Sequence, residues 1–174
     1  TMPALPLKDA GKIVCANACR IDWEQVCPKQ PEDEIYILGN PPYLGAKNQN
    51  EEHKYDMSLV FKKDYKTLDY VSAWFMLSKN YIQNSNAKYA FVATNSICQG
   101  EQVVLLWSRM FTSAQIFFAH QSFKWVNNAK SNAGVTVIVV GICNINTNIT
   151  KRLFKNDNIL VVQNINAYLS NASS

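Results

Sequence analysis

Two uncharged apolar runs, "YAFVAT" (residues 89–94) and "VTVIVVGIC" (residues 135–143), constrain the fold of this chain more than any other feature. A strand that is apolar without interruption is buried on both faces, as happens when helices cover both sides of a sheet. Strand-like and helical segments alternate around these runs. "KIVCAN" (residues 12–17) reads as a short strand, and "DEIYILGN" as a second one ending at Asn40. A helical stretch begins near Glu51 and resumes after Lys66, where Leu68, Val71, Ala73, Phe75, Leu77 and Ile82 recur along "LDYVSAWFMLSKNYI". After "YAFVAT" come a loop, "NSICQG", and a helix, "EQVVLLWSRMF", introduced by Gly100. "SAQIFFAHQSF" and "GVTVIVVGIC" are two further strands joined by polar residues with no helix between them, so they pair antiparallel. "NILVVQ" is a weak last strand. The alternation predicts an α/β sheet, largely parallel, with ligands bound outside the carboxyl ends of the strands. That places "NPPY", "TNSICQG" and "CANACRIDW" on one rim.

Composition narrows the class. A chain of 174 residues, 48% hydrophobic and 17% charged, has one-domain length and can bury a core without staples. The net charge of +4 is compatible with a nucleic-acid partner without demanding one. The longest apolar run is too short to cross a bilayer, and no basic–apolar–small leader opens the chain. Five cysteines (Cys15, Cys19, Cys27, Cys98, Cys143) lack C-x-x-C spacing and read as buried free thiols in a reducing cytoplasm. Two histidines and these spacings give no zinc site.

The stretch "NPPY", at Asn40, Pro41, Pro42 and Tyr43, ends the second strand. Asn40 offers an amide carbonyl as acceptor. The prolines have fixed φ and no N–H, so their carbonyls are free acceptors on a stiff turn. Tyr43 adds a planar face for stacking. Together they can hold a planar group bearing an NH2: two acceptors take its hydrogens, and the ring lies against its face. Drawing on both hydrogens localises the nitrogen lone pair, which is positional and electrostatic catalysis without a strong base. A proline-rich turn with a packed aromatic is the plain alternative. Average residue usage puts the whole tetrapeptide at roughly one occurrence per few thousand chains of this length, which favours the chemical reading.

Asn-Pro-Pro-Tyr after an apolar strand resembles the catalytic motif of S-adenosylmethionine-dependent methyltransferases that modify N6 of adenine in DNA. The longer blocks "ILGNPPYLGAKNQN", "YVSAWFMLSKNYI", "FVATNSICQGEQVVLLW" and "FFAHQSFKWVNNAKSNAGVTVIVVGI" resemble the methylase part of MmeI-like restriction–modification enzymes, over residues 12–143. The resemblance implies a partial Rossmann-like class I methyltransferase sheet, mostly parallel with an antiparallel terminal pair. It implies S-adenosylmethionine as cofactor and double-stranded DNA with an adenine-containing site as partner, with no membrane partner. Asn40 and Pro41 would accept from the target amine, Pro42 would line the cofactor's adenine pocket, and Tyr43 would stack on an adenine flipped out of the duplex. Phe123 is the first candidate for a second ring on that base and Trp125 the next; a packed pair under a loop is the equal alternative. Asn17, after Ala16, stands where the family carries an acid after glycine that binds the cofactor adenine. Asp22 is a second candidate there, and a helix cap is its stronger reading. Asn95, Ser96 and Gln99 sit on the expected rim, and His120 reads as structural.

The family's glycine turn for the methionine part of the cofactor does not precede Asn40 in this sequence. Residues 1–174 are therefore expected to be the catalytic-loop half of a methyltransferase domain, with the cofactor-binding first half and the target-recognition domain lying outside the chain. Residues 1–30, without their strand neighbours, are expected to pack irregularly, pair with another molecule or stay loosely attached, and exposed edges favour self-association. Two alternatives stay open: a protein glutamine N-methyltransferase, since a carboxamide is also a planar amine, and a non-catalytic binding or assembly module.

Overall fold

The computed structural model describes residues 12–124 and 136–172. Six strands form one sheet: β1 Tyr36–Gly39, β2 Lys88–Thr94, β3 Ala114–Lys124, β4 Thr136–Asn144, β5 Lys151–Lys155 and β6 Asn158–Val162, in the spatial order β1-β2-β4-β3-β5-β6. The β1–β2 and β3–β5 pairs are parallel, and β2–β4, β3–β4 and β5–β6 are antiparallel. It follows that β1, β2, β3 and β5 all point one way, which is the mostly parallel sheet expected. The antiparallel β3–β4 pair is also as expected. Beyond it the sheet continues into β5 and β6, an antiparallel pair at the edge.

The helices are α1 Trp23–Val26, α2 Glu51–Phe61, α3 Ser72–Tyr81, α4 Gly100–Gln102 and α5 Ser108–Met110, with a π-helical turn, Val103–Trp107, between the last two. The predicted helix over "EQVVLLWSRMF" is thus interrupted by a π segment, a form that often marks a functional constraint. Tyr89, Phe91 and Ala93 of β2 point into the core, where Phe75 of α3 meets Tyr89, Phe91 and Trp107 edge-on at 5.5–6.1 Å between ring centres. Each buried polar tip has a partner: Tyr89 Oη donates to the Phe75 carbonyl and Trp107 Nε1 to that of Ile97. Central β4 buries Val137, Ile138, Val140 and Ile142, hence both of its faces, as its continuous apolar sequence requires.

"KIVCAN" is not a strand. Residues 12–17 pair with no strand among the described residues, and Ile13 is 96% exposed. An extended segment without a ladder leaves its backbone groups to water. The segment is tied at its two ends, by Lys12 donating to the Gln25 carbonyl and by Asn17 on Asp56 of α2, and the chain after it is held by Arg20 on Asp56 and by Trp23 against Tyr81. The cysteines are all free, but only Cys19, Cys98 and Cys143 are buried; Cys15 and Cys27 are exposed, since of the segment that carries them only the stretch around Cys19 and Trp23 packs on the core.

Candidate active site

β1 runs out at Gly39, and Asn40 to Tyr43 form an irregular loop at its carboxyl end. Asn40 and Pro42 are exposed, Pro41 is buried, and Tyr43 is half-buried against the core. The acceptor-bearing Asn40 thus faces solvent while its neighbour anchors the turn.

The residue after the tetrapeptide is held at both backbone groups. Leu44 donates its N–H to Asp69 Oδ1 at 2.9 Å, and its carbonyl accepts from the Tyr70 N–H at 3.0 Å and from Gln49 Nε2 at 3.0 Å. Asp69 is almost fully buried. It also accepts from the Val71 N–H at 3.2 Å, and its own N–H donates to Gln102 Oε1, the last residue before the π turn. Gln49 spends its second hydrogen on the Leu68 carbonyl. Thr94, at the end of β2, lies 3.5 Å from Asp69 Oδ2 and 2.7 Å from Ser96 Oγ. These contacts gather the ends of β1 and β2 and the starts of α3 and α4 around one loop. None of Asp69, Gln49 and Gln102 was singled out from the sequence. The available signal, an acid just before an apolar helical run, announces a helix start and not a contact 25 residues away.

A second cluster joins the amino-terminal segment to the same place. Asp56 of α2, 1% exposed, accepts from Asn17 Nδ2 at 2.9 Å, Arg20 Nε at 2.6 Å and Tyr70 Oη at 2.7 Å. Burial works to raise the Asp56 pKa, but the hydrogen bonds from Asn17, Tyr70 and Arg20 and the guanidinium charge outweigh it, so the carboxyl sits below its ordinary range. Burial and then Asp56 push the Tyr70 hydroxyl well above its usual value, keeping it a donor. A hydrogen-bonded route therefore runs from Asn17 through Asp56 and Tyr70 to Leu44. Asn17 Oδ1 accepts from the Cys19 N–H at 2.8 Å and keeps a second lone pair. Asp22 caps α1, accepting from the Glu24 N–H, which matches its stronger sequence reading.

The pairing ladder sets the rim. Thr94 and Phe123 are both level with Val137 of the intervening β4, so Phe123 stands on the rim of Thr94, Asn95, Ser96 and Gln99. Phe123 is 39% exposed. Trp125, the second candidate ring, lies outside the described residues. His120 stacks on Phe154 at 4.2 Å between ring centres, a structural placement.

Residues 1–155 match the family described as MmeI, DNA-methyltransferase domain. Among curated proteins, "DNA methyltransferase A" of Bacillus subtilis (strain 168) is 51% identical over 175 residues, 99% of this chain. The chain spans 20% of that relative's length. Among solved structures, the type IIL restriction–modification enzyme MmeI in complex with DNA superposes with a TM-score of 0.85 and 35% identity, over 97% of this chain and 24% of that one. A family match over residues 1–155 and a relative 51% identical over 99% of the chain establish that the chain belongs to the MmeI DNA-methyltransferase domain family.

Proposed function

We propose that this chain is the catalytic-loop half of an S-adenosylmethionine-dependent methyltransferase that modifies N6 of an adenine flipped out of double-stranded DNA, as part of a restriction–modification enzyme. The observation that carries the reading is the exposed Asn40 on a loop locked from behind through Leu44, Asp69 and Gln49. Asn40 Oδ1 and the Pro41 carbonyl accept the two hydrogens of the exocyclic amine. That draws the nitrogen from planar toward tetrahedral and readies its lone pair. The ring of Tyr43 lies on the base, and Phe123 closes the other face. A loop fixed before the base arrives needs no reorganisation during the reaction.

S-adenosylmethionine, when bound, supplies an activated methyl group. The residues present suit its adenine end: Asn17 keeps an open lone pair, and Pro42 offers exposed apolar surface. Residues for the methionine end lie outside this chain in our reading, so the 174 residues alone carry out no measurable transfer. Micromolar cofactor binding by the isolated chain in calorimetry counts against that division.

The test is the longer protein that contains this chain, incubated with labelled cofactor and either DNA or a glutamine-bearing peptide. Label in N6-methyladenine after digestion to nucleosides is expected, and Asn40→Ala is expected to abolish it. Label on cytosine, or on peptide alone, overturns the proposal.

A further inference from the structure

On the same rim, beyond Phe123, lies a second pocket of about 260 Å³. Asn95 and Gln99 border it on one side, Gln121 and Ser122 from the end of β3 on another, and Lys155 and Tyr168 close it. Its walls carry four carboxamides, one cation and one ring, over a floor that includes Cys98, Ile138 and Leu169. β3 and β5 run parallel with His120 level with Phe154, which brings Gln121 and Lys155 side by side at their carboxyl ends. Lys155 is exposed and makes no ion pair among the described residues.

The presentation of Tyr168 is the feature that most needs a purpose. The ring is 63% exposed, yet its neighbours Ala167 and Leu169 are buried to 7% and 2% exposure. The turn that carries it is fixed several times over. Asn166 Oδ1 accepts from the Tyr168 N–H, the Ser170 N–H and the Ser170 hydroxyl, and Gln121 Nε2 donates to the Leu169 carbonyl at 2.8 Å. Leu169 is held at φ 55°, a conformation that costs a non-glycine residue free energy and persists only where its surroundings enforce it. The turn therefore holds the Tyr168 ring in one exposed position at the mouth of the pocket.

We infer that this pocket is a subsite for a nucleotide flanking the target base in the same strand, with the Tyr168 ring against its base and the Lys155 ammonium on its phosphate. The inference rests on DNA being the substrate, as proposed above. A flipped base exposes its neighbours on the same strand, and an aromatic face with a nearby cation is the pairing that holds an unstacked nucleotide irrespective of sequence. Gln99 and Asn95 supply donors and acceptors at the edge of that base.

The experiment uses the full-length enzyme and a fluorescent duplex fragment that the wild-type protein methylates. Tyr168→Ala is expected to weaken binding roughly 5- to 100-fold, and Tyr168→Phe to retain it. Lys155→Gln is expected to reduce the slope of log K against log salt by about 1. Cofactor affinity stays at the wild-type value in all three variants, which separates a DNA contact from a folding defect. Wild-type affinity and salt slope in Tyr168→Ala and Lys155→Gln overturn the subsite while leaving the methyltransferase reading intact. A wild-type enzyme that binds no DNA overturns both.

Discussion

Asp69 and Leu44 are joined by a carboxylate-to-backbone hydrogen bond of 2.9 Å across 25 residues of sequence, and this bond fixes the chain immediately behind Tyr43. Asp69→Ala leaves the buried Val71 N–H and the part-buried Leu44 N–H without this acceptor, at a cost of about 1–3 kcal/mol. In the full-length enzyme it is expected to lower kcat by about 100-fold through a misplaced catalytic loop, with little change in the KM for the cofactor. Asp69→Asn keeps an acceptor at Oδ1 and is expected to recover part of the loss. Steady-state kinetics on the three proteins checks this; an Asp69→Ala enzyme with wild-type kcat removes Asp69 from any positioning role.

Asp56 predicts an acid-side loss of stability. Its folded pKa lies below the ordinary 3.8, so the cluster's contribution is present above that value. It disappears as pH falls through the lower folded value. Asp56→Asn has no such carboxyl to protonate. Urea midpoints measured from pH 6 down to about pH 2 are expected to fall more steeply in wild type than in the variant below about pH 4. Parallel curves for the two proteins contradict the assignment.

Gly141 and Phe118 face each other across β4 and β3, and a Cβ on Gly141 would stand 2.1 Å from the Phe118 ring. Gly141→Ala is therefore expected to cost about 1–3 kcal/mol of stability through overpacking. Phe118→Leu in the same background should return part of it. A double-mutant cycle gives the coupling, and additive effects indicate that the ring moves aside at no cost.

The thiols are expected to fall into two sets. Burial pushes Cys98 up to about 12, and burial followed by the Asp56 charge pushes Cys19 up to about 11. At pH 8 the Cys98 thiolate fraction is on the order of 10⁻⁴. Cys15 and Cys27 are exposed. Brief alkylation with iodoacetamide at pH 8, read by peptide mass spectrometry, should label Cys15 and Cys27 first. Early labelling of Cys98 in the folded protein is the contrary result.

What the sequence reveals of this fold follows from how local the causes are. The apolar periods along β2, β4 and α3 are large and continuous, so these elements are legible. So is the tetrapeptide, because its position at a strand end needs only the strand. Residues 12–17 look like a strand but need a neighbour that the described residues do not provide. "KRLFK" shows the reverse. Its charges hide a strand with one buried residue, Leu153, which forms because β3 presents an edge to pair with. Asp69, Gln49 and Gln102 stayed hidden for a related reason. Their roles depend on contacts 19 to 33 residues away, while local pattern assigns each of them a helix start or a solvated face. Phe123 was reachable from the family's block order, whereas Tyr168 lies outside the matching blocks and shows its placement only in the folded turn.

The antiparallel lie of β4 has an evolutionary consequence. Lys124 pairs with Thr136, so the two strand ends that residues 125–135 join lie side by side at one rim, next to Phe123. Lengthening such a connection twofold adds only about 0.6 kcal/mol of closure entropy, and the ladder on either side keeps its register. Descendants of this chain can therefore try out insertions beside Phe123 while the Asn40–Tyr43 loop stays where Asp69 holds its neighbour Leu44.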